Sequence, residues 1–279
     1  SNIVNNTTTY TFYVDGYYRS DWAGKKENNR TSFTNSNNSI QLGMLSFKVD
    51  KNWGKFSGTL DLGVGKREEE FSYNDNGLLQ DIKQLTISYA LNDRIKFTAG
   101  KWTTHVGYEL LDAYSNRNYS MSYAFSYGPF FHTGLRADIV LGKRYNLMLG
   151  VAQPSDFVSS SSPNKMLIAQ LNATSNDDAW KAFVNCQLGK DKSQFDFVAS
   201  RVLNKQFAIN YDGTLTNLAG RVWTSNALYL NYDPVPLVGF TWRSELFDDS
   251  KNAVGVGSTV FQNTVSANFH IAKFTIIPE

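Results

Sequence analysis

The residues of this chain whose types could do chemistry gather in one stretch, 104–128, which reads THVGYELLDAYSNRNYSMSYAFSYG. It places Glu109, Asp112, Arg117 and Asn118 among closely spaced aromatic rings. Acidic and basic side chains opposed across a narrow aqueous passage create a transverse field and set the passage width. The same stretch has a plainer reading. Tyr108, Tyr114, Tyr119, Tyr123 and Phe125 would pack it against a scaffold and the charges would be solvated. Both readings make the segment ordered.

Catalytic patterns are missing from the sequence. There is no G-x-S-x-G elbow, no H-E-x-x-H helix and no phosphate loop, and Gly63-Val64-Gly65-Lys66 reads as a strand end. His105, His132 and His270 stand far apart without Cys or carboxylate at ligand spacing, so no metal site is expected. Asn74-Asp75-Asn76-Gly77 lacks the full calcium-loop register and the closing Glu, and reads as a turn. No cofactor is expected. The lone Cys186 excludes an internal disulfide and reads as a small apolar residue. Net charge is +2, from 27 basic and 25 acidic residues, with no basic run interleaved with aromatics, so nucleic acid is not an expected partner.

The elements that must carry these residues are strands. Side chains alternate with period 2, the spacing that sends successive residues to opposite sheet faces. From Lys55 onward, Phe56, Leu60, Leu62 and Val64 share one face, while Lys55, Ser57, Thr59 and Asp61 share the other. From Phe131, the row Phe131, Thr133, Leu135, Ala137, Ile139 and Leu141 alternates with His132, Gly134, Arg136, Asp138, Val140 and Gly142. Similar segments begin near Tyr10, Ile40, Gln84, Ile95, Tyr145, Leu167, Trp180, Gln194, Gln206, Ala227, Leu237 and Thr264, for about fourteen strands in all. No run approaches the roughly 18 apolar residues of a membrane helix, so a helical membrane protein is excluded. A composition 14% aromatic, with 15 Tyr and 19 Phe beside abundant Asn, Ser and Thr, suits a wall that is apolar outside and polar inside.

The connections alternate as well. Tight links at 51–54, 92–94, 143–144, 176–178, 203–205 and 233–236 interleave with long polar ones at 21–38, 67–83, 104–128, 154–163 and 248–261, the short link near 189–192 being an exception. Short turns at one end and long loops at the other mark an all-β transmembrane antiparallel up-and-down barrel, with the short turns toward the periplasm. On its polar face Asp61, Lys96, Arg136, Asp138, Arg243 and Glu245 are expected to line the lumen, mixed in sign and so giving little charge selectivity. Asp15 and Arg201 are expected on the same face.

Gly107-Tyr108-Glu109, Asn118-Tyr119-Ser120, Ser122, Phe125, Gly128-Pro129-Phe130 and His132-Thr133-Gly134 resemble the Bacteroidota porin family of OmpL-like, second-type outer-membrane β-barrels. The resemblance runs from Gly16-Tyr17-Tyr18 through Asn210-Tyr211 and Leu230-Asn231-Tyr232 to the closing stretch 274–279. It implies a single barrel domain over 1–279, with about sixteen strands in the complete barrel, in the bacterial outer membrane. It also implies passive diffusion of small solutes, with no cofactor and no catalytic residues. Because the sequence stops at Ile277-Pro278-Glu279 and not at an aromatic residue, one or two closing strands are expected to be missing. The opening SNIVNN has no basic and apolar leader, so a secretory signal is expected to have been removed. The expected partners are outer-membrane lipid, small solutes and other outer-membrane proteins. The alternative is a non-conducting accessory barrel within a larger outer-membrane complex.

Overall fold

The computed structural model describes residues 6–23 and 29–279. The first five residues of the opening stretch, and 24–28 of the link expected at 21–38, lie outside the described residues. The chain forms one antiparallel sheet whose strand order follows the sequence, from β1 at one edge to β15 at the other. The first seven strands are β1 (Asn6–Arg19), β2 (Ser39–Trp53), β3 (Phe56–Val64), β4 (Ile82–Asn92), β5 (Ile95–Thr103), β6 (Phe131–Val140) and β7 (Tyr145–Ala152). They are followed by β8 (Met166–Thr174), β9 (Trp180–Leu188), β10 (Lys192–Val202), β11 (Phe207–Leu218), β12 (Arg221–Val235), β13 (Val238–Asp248), β14 (Thr259–Ile271) and β15 (Phe274–Ile276). Two short helices, α1 (Lys66–Phe71) and α2 (Tyr123–Tyr127), sit in the links after β3 and β5.

Alternation works here with the opposite sense to a soluble sheet. In β13 the row Gly239, Thr241, Arg243, Glu245 and Phe247 is buried, while Phe240, Trp242 and Leu246 are exposed. In β3 Asp61 is buried while Phe56, Leu60 and Val64 are exposed. Apolar rows facing outward from the molecule need a solvent as apolar as themselves. The ladders meanwhile satisfy the backbone N–H and C=O groups that lipid cannot.

All fourteen expected strands are present, and the fifteenth corrects the count. β15 has three residues, too few to show alternation, and pairs Phe269 with Ile276 of the closing stretch. β12 begins six residues before the expected Ala227, because Trp223 on the buried row and Asn226 on the exposed row break the apolar pattern there. The links 54–55, 93–94, 141–144, 175–179, 203–206, 236–237 and 272–273 are tight. The opposite end carries 20–38, 65–81, 104–130, 153–165 and 249–258, together with the short link 189–191 and a two-residue link at 219–220.

The chain divides into two compact units: Ser1–Thr104 with Pro129–Ala169, and His105–Gly128 with Gln170–Glu279. In the first unit, the link expected as a solvated loop over 67–83 folds back instead. α1 buries Arg67, Glu68 and Phe71 on the polar face, where Lys83 and Lys101 of the strands act on the Glu68 carboxyl. Gly63 makes this approach possible, since a Cβ there would come 2.8 Å from the Lys83 side chain and 2.9 Å from Glu68 Oε2. In the second unit Tyr123 of α2 packs with Trp223, Phe247 and Val256.

Candidate functional site

The polar face of the second unit is covered by 105–128, which crosses the strands nearly in order. Gln170 of β8 donates to the His105 carbonyl at 3.1 Å, and His105 Nε2 meets the Cys186 carbonyl of β9 at 3.3 Å. The Gly107 amide donates to Asp196 Oδ1 of β10, and the Tyr108 amide to Asp212 Oδ2 of β11, both at 3.0 Å. The Tyr108 ring lies 4.4 Å from that of Tyr229 on β12. Burial between these strands pushes the Tyr108 hydroxyl above its usual range and keeps it neutral.

β13 supplies the strongest ties. Arg243 Nη1 donates to Glu109 Oε1 at 2.6 Å and to the Ser120 carbonyl at 2.7 Å, and Nη2 reaches the Met121 carbonyl at 3.2 Å. Glu245 accepts the Tyr123 and Ala124 amides at the start of α2, each at 2.8 Å, and the Ser225 hydroxyl at 2.8 Å. Glu109 Oε2 in turn accepts the Ser122 amide and hydroxyl, both at 2.8 Å. Charge-assisted bonds of this kind, out of water, are the strong ones. Most of them reach the loop backbone, so Arg243 and Glu245 of the wall, with Glu109 of the loop itself, fix much of its path through the main chain.

Farther along, Arg117 pairs with Asp233 of β12 through Nη1 at 3.1 Å and donates through Nε to Thr241 at 2.8 Å. This pair keeps solvent contact, at 28% and 43% side-chain exposure. A Cβ at Gly239 would come 2.4 Å from Asp233 Oδ1 and 2.6 Å from Arg117 Nη2, so glycine leaves the space the pair occupies. Asn118 donates to Ser266 of β14 at 2.5 Å, and Asn268 to the Arg117 carbonyl at 2.9 Å.

The four loop residues singled out by sequence therefore separate. Glu109 and Asn118 are buried anchors, Arg117 is half-exposed in an ion pair, and half-buried Asp112 leads into a 3-10 turn at Ala113–Ser115. Of the residues expected along the lumen, Arg243 and Glu245 lie on the polar face but beneath the loop, fully buried. Asp61, in the first unit, is 1% exposed and pairs with Lys83 at 3.2 Å. Lys96 and Asp138 stay open to solvent, 3.7 Å apart. Arg136 lies 3.6 Å from Asp138 and 5.0 Å from the Trp102 ring centroid. Arg201, expected on the polar face, points to the opposite, apolar one, because it pairs with Trp180 on the exposed row. Asp196, Asp212 and Asp233 were not singled out as anchors. The alternation of β10 and β11 puts the first two on the polar face, but nothing local marks their partners 89 and 104 residues away.

In the first unit Lys83 also donates to Ser46 at 2.9 Å, and Lys101 to the Ser72 hydroxyl at 2.8 Å and Asp75 at 3.2 Å. The turn expected at 74–77 lies instead at 72–74, and 75–76 lead into a 3-10 helix at Gly77–Leu79. Asp75 serves a lysine, and no metal-holding cluster of His, Cys, Asp or Glu occurs among the described residues. Burial drives the Glu68 carboxyl well above the ordinary carboxylate range, against the pull of the Ser72 hydroxyl and of Lys101 and Lys83. The folded unit then holds this proton more tightly than the unfolded chain does. The stability contributed is complete below the ordinary carboxylate range and is lost as pH rises through the raised folded value. Hydrogen-exchange protection of 66–71, corrected for intrinsic rates, should fall with rising pH in the native chain and stay level in Glu68→Gln. Equal pH dependence in the two would contradict this.

An antiparallel up-and-down sheet with an apolar outward row, a polar inward row and a long link folded onto the polar face defines the wall of a porin-type β-barrel. The family model described as "Putative beta-barrel porin-2, OmpL-like" matches residues 7–279. The chain belongs to that family and to the bacterial outer membrane. Among solved structures it is similar to the outer-membrane channel DcaP of Acinetobacter baumannii, with TM-score 0.62, 11% identity, and 96% of this chain and 88% of that one covered. It is also similar to an engineered variant of the Rh. blastica porin, at TM-score 0.62, 12% identity and 96% and 91% coverage. The anion-selective porin of Comamonas acidovorans gives 0.58, 12%, and 96% and 86%. At such identities the likeness concerns the fold. No curated protein sequence matches the chain.

Proposed function

We propose that residues 1–279 form one barrel domain of a Bacteroidota-type porin that passes small solutes by passive diffusion. It performs no catalysis and holds no cofactor, and 105–128 is its constriction. The observation that carries this reading is the tethering of that segment to the polar faces of β10, β11 and β13 by bonds from its backbone to Asp196, Asp212, Glu245 and Arg243. A loop fixed on the polar face narrows the passage permanently instead of moving over it. In this reading Arg117, Asp233, Lys96 and Asp138 meet the solute, while Arg243, Glu245 and Glu109 hold the loop.

The reading is tested by reversal potentials across a planar bilayer. Arg117→Ala leaves Asp233 without its cation, so permeability for cations over anions should rise. Gly239→Ala keeps both charges but forces the pair apart, so conductance should change with little change in selectivity. An exposed pair is worth at most about 1 kcal/mol, so both variants should insert as the native chain does. Native values in both would remove the pair from the solute path.

A second reading, a non-conducting accessory barrel, draws on the stacking of Tyr123, Tyr127 and Phe247 on the polar face beside Trp223. That apolar cluster would suit a plugged lumen, and insertion without current would favour it.

A further inference from the structure

The outward row of the second unit carries a cation that no acidic group balances. β10 turns Phe195, Phe197 and Arg201 outward and Gln194, Asp196 and Val198 inward, and β9 turns Trp180 and Val184 outward. The register pairs Arg201 with Trp180, Ala199 with Ala182 and Phe197 with Val184. The Arg201 guanidinium carbon stands 4.7 Å from the Trp180 ring centroid, and among the described residues this is its one interaction. Lys51, which also faces outward near a tight link, instead donates to the Thr8 hydroxyl at 2.9 Å.

Stacking engages the face of a guanidinium and leaves its N–H edge open, in the fork that matches a phosphate. The position suits that use. Val202 ends β10 at the link 203–206, and Trp180 opens β9 after 175–179, so the pair stands at the end of the apolar band. There an outward arginine costs little, whereas at the membrane midplane it is expensive. Directly beneath it, toward the middle of the band, the cross-strand pair Ala182–Ala199 leaves a shallow floor. Tyr211 of β11, paired with Ala199, and Phe197 farther along β10, with ring centroids 6.3 Å apart, bound that floor.

We infer that Arg201 and Trp180 bind the phosphodiester of an anionic glycerophospholipid, one of whose acyl chains lies over Ala182 and Ala199. On the outward row the neighbours Ala182, Ala199 and Ile209 are apolar, so a headgroup of net negative charge neutralises the guanidinium, whereas a zwitterionic one brings its own cation beside it.

The test is native mass spectrometry of the full chain released from micelles containing equal amounts of phosphatidylglycerol and phosphatidylcholine with the same acyl chains. The native protein should retain phosphatidylglycerol preferentially. Arg201→Gln should lower that retention by about fivefold, the worth of one arginine at a charged lipid surface, and leave phosphatidylcholine unchanged. Equal retention of both lipids by the native chain, or undiminished phosphatidylglycerol on Arg201→Gln, overturns the assignment. A second readout needs no variant. Brominated phosphatidylglycerol should quench tryptophan emission of the native protein more than brominated phosphatidylcholine at the same mole fraction, and equal quenching overturns the assignment.

Discussion

Arg243→Ala is expected to release 105–128 from the polar face while the β12–β13–β14 ladders stay intact. The guanidinium is fully buried and serves Glu109, the Ser120 and Met121 carbonyls and Thr264 together. Removing it strands the Glu109 carboxylate, which is 4% exposed, in a site that water does not reach. Breaking one side of a buried pair costs about 3–5 kcal/mol, and the loop loses its ties at Glu109, Ser120 and Met121 together. The ladders do not depend on the side chain, so the loss falls on the loop. Limited proteolysis of the inserted protein should show new cleavage between residues 108 and 122. Arg243→Ala combined with Glu109→Gln should restore part of the protection, because the stranded charge is gone. A cleavage pattern identical to the native one would show that the loop does not hang on this arginine.

Lys83→Met is expected to weaken the first unit by a similar amount, about 3–5 kcal/mol. Lys83 and Asp61 are each 1% exposed and 3.2 Å apart, with Ser46 and Gln84 among the carboxylate's further partners. Methionine fills the volume but leaves Asp61 charged and buried, and α1, packed on the same face, loses its seat. The urea midpoint of the refolded protein should fall sharply. Asp61→Asn in the same chain should recover most of the fall, since the amide keeps the bond geometry without the charge. A single variant with the native midpoint would mean that water or another cation neutralises Asp61.

The wall was legible because alternation is a local signal. Phe56, Leu60 and Val64 against Thr59 and Asp61 announce a strand and its two faces without knowledge of any neighbour. What lies on the polar face was much less so. Glu68 reads as a solvated charge because Lys83 and Lys101, which act on it, stand on strands β4 and β5, and Arg67 because the Phe33 ring it stacks on lies in another link. The loop 104–128 stood out by composition, but whether Glu109 faces solvent or Arg243 depends on a contact spanning 134 residues. Arg201 fell on the wrong face because a charged residue was assigned to the polar side by type, where parity with Phe195 and Phe197 assigns it outward. Long-range pairing decides the roles of buried charges, and a single sequence does not carry it.

The central claim, a conducting barrel narrowed by its tethered loop, is tested most directly by single-channel conductance in a planar bilayer, comparing the native chain with Arg243→Ala. Steady ohmic steps from the native protein and larger or noisier steps from the variant are the predicted result. Clean insertion of both without current, or native steps that the variant leaves unchanged, would contradict it.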